Sequence, residues 1–138
     1  MRLTQAQIDG FASLGYNFYQ QGKFEDAKKM FEGLAAIEPD SFYGYAGLGA
    51  LALAKEPPDL DSALTNLQKA VELNPHEASI HANLGEALLR QAKLPEAVAE
   101  FHKAIDLDPD KKDGGANRAR AIITGLKVAT EEFKKKAS

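Results

Sequence analysis

Cysteine is absent from the 138 residues. That removes disulfides, thiolate metal sites, a cysteine nucleophile and a lipid-modified N-terminal cysteine, and it fits a cytoplasmic compartment best. A long apolar run is missing too. The opening "MRLTQAQIDGF" holds nothing like a signal-peptide core, and the most apolar stretch, "FYGYAGLGALALA" at 42–54, falls well short of the ~20 residues that span a bilayer. Membrane insertion is therefore not expected. Nor is there an excess of positive charge: the formal net charge is -3 and the lysines and arginines are scattered, a poor footprint for binding phosphates, so nucleic acid is not an expected partner.

What is present is a chain 44% hydrophobic, long enough for a single domain with a core of its own. Internal repetition organises it. Phe11, Leu14, Gly15, Phe18, Ala27 and Phe31 close on Pro39; Tyr45, Leu48, Gly49, Ala63 and Leu67 close on Pro75; His81, Leu84, Gly85, Leu88, Ala97 and Phe101 close on Pro109. The separations from Leu-Gly glycine to proline are 24, 26 and 24 residues, a period of about 34 with one short insertion. Small residues at Gly15, Gly49, Gly85, Ala27, Ala63 and Ala97 let two antiparallel helices approach closely while the large ones fill the seam, and the prolines end the second helix of each unit.

These letters resemble the tetratricopeptide repeat, W-x2-LG-x2-Y…A-x3-F…P. The resemblance implies an all-α fold: three helix-turn-helix repeats at about 8–41, 42–77 and 78–111 in a right-handed superhelix, with a C-terminal capping helix at about 116–136. Thr4 and Gln7 have capping-box spacing, and Asp59 follows Pro57-Pro58 as a candidate N-cap. Ala119, Ile122, Ile123, Leu126, Ala129 and Phe133 recur at helical spacing, which suits a last helix that covers the final repeat, with Lys134–Lys136 at the negative end of its dipole.

Chemistry has little support. His76, His81 and His102 lie far apart in the repeat frame, and His81 takes a large inward position, so a packed, hydrogen-bonded imidazole is expected rather than a metal ligand. Gly114-Gly115 lacks both a preceding strand and a Lys-Ser/Thr continuation, and reads as a turn. No catalytic residue, metal site or cofactor is expected, and an enzyme is the least favoured class.

The repeat resemblance instead implies a concave binding surface on the first helix of each repeat. Transferring the register places Tyr16, Tyr19 and Gln20 of the first repeat in it, then Tyr43, Ala46, Gly47, Ala50 and Leu53, then Asn83, Glu86, Leu89 and Arg90. In repeat domains that clamp the acidic tails of heat-shock chaperones, Lys, Asn and Arg occupy the positions of Ala12, Tyr16, Gly47, Ser79 and Asn83, so no basic cluster is available here for a carboxylate. The expected ligand is a protein or peptide with an apolar extended segment.

One branch of the superfamily matches more closely. "GKFEDAKKMF" at 22–31, Leu34 and "GLGA" at 47–50 look like the first repeat and a half of the class II type III secretion chaperones. That resemblance implies a cytoplasmic chaperone which guards an apolar segment of a translocator in its groove. Those chaperones carry a further N-terminal helical segment used in dimerisation; only about seven residues precede the first repeat here, so dimerisation in that manner is not expected. The alternative is a generic repeat adaptor that links folded proteins through its convex face or last helix. On the chaperone reading, residues 42–54 would be apolar all round because one face is core and the other is a site for an apolar ligand; on the adaptor reading the groove residues would be partly covered. Gly44 has no role in that division.

Overall fold

A computed structural model describes residues 2–137. It contains seven α-helices: α1 Gln5–Gln20, α2 Phe24–Ile37, α3 Phe42–Ala54, α4 Leu60–Leu73, α5 Ala78–Arg90, α6 Leu94–Asp106 and α7 Gly114–Ala137. No strand occurs among the described residues. Two compact units divide between His76 and Glu77, the first holding α1 to α4 and the second α5 to α7.

Local chemistry sets the helix ends. At α1 the Thr4 hydroxyl accepts the Gln7 amide at 3.1 Å, while the Gln7 side chain accepts the Thr4 amide at 2.9 Å. The predicted capping box is formed. Asp59 caps α4 by accepting the Ser62 amide at 3.1 Å. Pro39, Pro75 and Pro109 stand within three residues of the ends of α2, α4 and α6, where their missing N–H costs no helical bond. The turn after α1 uses Gly22 at φ 76°, with the Lys23 amide donating back to the Phe18 carbonyl at 2.8 Å. After α5 the same turn recurs with Ala92 at φ 61° and Lys93 donating to Leu88 at 3.0 Å.

Each helix pair is closed by a large side chain that fills the space over a glycine. A Cβ on Gly15 would lie 2.7 Å from Phe31, one on Gly49 2.6 Å from Leu67, and one on Gly85 2.5 Å from Phe101. The three large residues are fully buried. The sequence separations are 16, 18 and 16, so the two extra residues in the α3–α4 connection leave the packing relation unchanged.

Helix α3 packs against α1, α2 and α4. Three neighbours in one unit explain why its thirteen residues carry no polar face. They also give Gly44 its role: a Cβ there would stand 2.7 Å from the Ala35 amide nitrogen and 2.9 Å from the Phe31 carbonyl, so the α3 backbone rests on the α2 backbone. The seam expected of Phe11 and Leu14 is only partly formed. Both are about two-fifths exposed, 40% and 41%, because α1 is flanked within its unit by α2 and α3 alone.

In the second unit α7 packs on both α5 and α6. Gly115 sits close to Ala82 and Ser79, and Ala119 and Ile123 join Ala97 and Phe101 in one apolar cluster. Arg120 ties α7 to the end of α6. Its Nη1 donates to the Asp108 carboxylate at 3.0 Å, and its Nη2 donates to the carbonyls of Asp108 and, at 3.4 Å, Ile105.

Candidate functional site

Helix α1 carries Tyr16 and Tyr19 three residues apart, on one face. Helix α3, packed beside it, carries Tyr43. All three tyrosines are half-buried against the same apolar cluster of Ile8, Ala12, Ala27, Phe31 and Leu34. Tyr16 meets Phe31 edge to face at 5.0 Å, Tyr19 leans on Phe24 at 5.6 Å, and Tyr43 stacks with Phe42 at 4.2 Å. Rings seated this way are held rigid on one side and keep part of their surface exposed on the other, which suits contact with an apolar segment. Gln20 is exposed at the end of α1, and Ala50 is half-buried on α3.

Other expected members of the surface are placed differently. Gly47 leaves no hollow, because the Phe31 ring fills it: a Cβ would lie 2.2 Å from the ring. Ala46 and Leu53 are 5% and 8% exposed on a helix with three neighbours, so they give little surface to a ligand. In the second unit Arg118 of α7 takes both polar residues, its Nε donating to Glu86 at 3.0 Å and its Nη2 to Asn83 at 3.4 Å. Leu89 packs into the Phe101 and Ile123 cluster, and Arg90 is exposed. The register could not show which of these residues α7 and Phe31 would occupy.

A concavity that the sequence did not announce lies between α2, α3 and α4. Its volume is about 440 Å³, and Phe24, Leu48, Leu51 and Ala52 line it together with charged side chains of both signs, among them Lys28 and Glu32. Its signal in the sequence is faint, since Leu48 reads as an ordinary seam residue.

His81 is packed and hydrogen-bonded as expected: Nδ1 lies 2.7 Å from Glu100 Oε2, and Lys103 donates to the other oxygen at 3.1 Å. Among the described residues no three His, Cys, Asp or Glu side chains converge where a metal ion could be held, and no helix is long and apolar enough to cross a membrane.

The tetratricopeptide repeat family matches this chain at residues 59–112 and again at 13–41. The low calcium response locus protein H of Yersinia pestis is 29% identical over 131 residues, covering 94% of this chain and 77% of that protein. Among solved structures, the Yersinia enterocolitica type III secretion translocator chaperone SycD aligns with a TM-score of 0.77 at 25% identity, over 94% of this chain and 90% of that one. SycD in complex with a peptide of the translocator YopD aligns with a TM-score of 0.74 at 25% identity, over 92% and 97% of the two chains. The repeat pattern and the likeness to translocator chaperones, both read from the sequence, are found again by these comparisons.

Proposed function

This chain belongs to the tetratricopeptide repeat family, and we propose that it is a protein-binding chaperone which holds an extended apolar segment of a type III secretion translocator. The observation that carries this reading is the trio of half-buried tyrosines, Tyr16, Tyr19 and Tyr43, on one apolar cluster. The complex of SycD with a YopD peptide supports it, being a chaperone of the same fold with a translocator segment bound. A whole aromatic side chain buries roughly 150–250 Å², and a client would remove from water the part of each half-buried ring that is still exposed. Ala50, half-buried on the helix that carries Tyr43, has a short side chain that leaves room for one from a client. The role is to keep that segment from aggregating in the cytoplasm before export, and it has no catalytic step.

Co-expression with a hydrophobic translocator tests the reading. The client should become soluble with the native chain and lose solubility with Tyr16→Ala combined with Tyr43→Ala. Equal solubility with a folded double variant would refute it. A second reading, an adaptor that uses its outer helices, is favoured only by the 440 Å³ concavity between α2, α3 and α4. It requires Lys28→Glu with Lys29→Glu to weaken partner capture while the tyrosine changes do little.

A further inference from the structure

The C-terminal helix differs in charge from the rest of the chain. Residues 114–137 carry six lysines and arginines against two glutamates, a net +4 in a chain of net -3, so the residues outside the helix sum to -7. The helix is also longer than its neighbour. Its 24 residues span about 36 Å, against about 20 Å for the 13 residues of α6.

Between the two helices lies a groove of about 410 Å³, with Leu94 and Val98 from α6 facing Ile123 and Leu126 from α7. Lys127 and Lys134 stand over it, four and eleven residues beyond Ile123 and therefore on its side of the helix. Arg118 and Arg120 are bound to Glu86 and Asp108, whereas Lys127 and Lys134 make no ion pair among the described residues. His102 also lines the groove, and Glu131 only partly offsets the positive rim.

We propose that the α6–α7 groove is a second docking surface, separate from the tyrosine face, for an acidic amphipathic protein segment whose apolar side chains enter between Val98 and Leu126 while its carboxylates meet Lys127 and Lys134. Charge complementarity selects this occupant. An anionic membrane fits less well. The two exposed large apolar side chains of α7, Val128 at 55% and Phe133 at 75%, are five residues apart and so about 140° apart around the axis. They cannot enter a lipid surface together, and a groove presents its apolar atoms inward.

The test uses the full chain with a labelled synthetic peptide of leucine at helical spacing and glutamate elsewhere, its glutamine-for-glutamate counterpart, and phosphatidylserine vesicles. The glutamate peptide should bind, weaken with added salt, and lose about tenfold in affinity with Lys127→Gln plus Lys134→Gln, both exposed side chains whose change leaves the fold intact. Tyr16→Ala with Tyr43→Ala should leave this binding unchanged, which separates it from the tyrosine face. Equal binding of the glutamine peptide, insensitivity to the lysine changes, or binding to vesicles in place of the peptide would each overturn the proposal.

Discussion

The ring of Phe31 stands where a side chain on residue 47 would begin, 2.2 Å from the position of a Gly47 Cβ. The same ring fills the space over Gly15 and supports Tyr16 at 5.0 Å, so one phenylalanine of α2 sets the spacing of α1, α3 and a tyrosine of the candidate site. Gly47→Ala should therefore destabilise the chain by about 1–3 kcal/mol through overpacking, despite the gain in helix propensity. Gly10 is an internal control: nothing lies within 4 Å of its added Cβ, and Gly10→Ala should stabilise by about 0.5–1 kcal/mol. Urea denaturation of the two variants should give midpoint shifts of opposite sign.

Ala92 occupies the left-handed region at φ 61°, in the turn that Gly22 serves after α1. An L-residue there is disfavoured by roughly 1–2 kcal/mol. Ala92→Gly should raise the denaturation midpoint, and Gly22→Ala should lower it.

His81 and Glu100 form a buried contact of 2.7 Å, with side-chain exposures of 5% and 14%. Glu100→Ala removes this partner from a buried imidazole and should cost about 1–3 kcal/mol. Replacing both residues together should cost less than the two single changes summed, a coupling that a double-mutant cycle on unfolding free energies measures directly.

Burial alone would raise the pKa of Asp108, but the hydrogen bond from Arg120, the amides of Asp113 and Lys112, and the charge of the guanidinium hold the carboxyl below its ordinary 3.8. A lowered folded-state pKa contributes stability that is present above the unfolded value and lost as pH falls through the folded one. Asp108→Asn should therefore be less stable than the native chain at neutral pH. The gap should narrow as the solution is acidified below the ordinary aspartate value, as thermal melts across that range will show.

The repeat letters made the helices legible because each letter has one physical task. Leu-Gly followed at fixed distance by Ala and Phe is a close approach plus a filler, and Gly15 with Phe31 and Gly85 with Phe101 perform it in the structure. Caps were legible for the same reason, since Thr4, Gln7 and Asp59 act within three residues of themselves. The site was legible only in part. Apolar residues on α3 look alike in sequence whether they face a ligand or a helix, and Gly47, Ala46 and Leu53 prove to be enclosed. Asn83 and Glu86 were read as part of that surface, but their engagement by Arg118 is a contact more than thirty residues away that no local pattern encodes. Gly44 needed the structure as well, because its neighbour is backbone and backbone has no letter.

The central claim is that the face of α1 and α3 holds an apolar client segment, and an affinity titration tests it most directly. A labelled peptide from the apolar N-terminal region of a translocator should bind the native chain, and Ala50→Arg, which places a long charged side chain at a half-buried position of the helix that carries Tyr43 without removing a core group, should weaken binding at least about tenfold. Tyr16→Ala with Tyr43→Ala should do the same. Unchanged affinity in Ala50→Arg and in the tyrosine double variant, both shown to be folded by circular dichroism, would contradict the account.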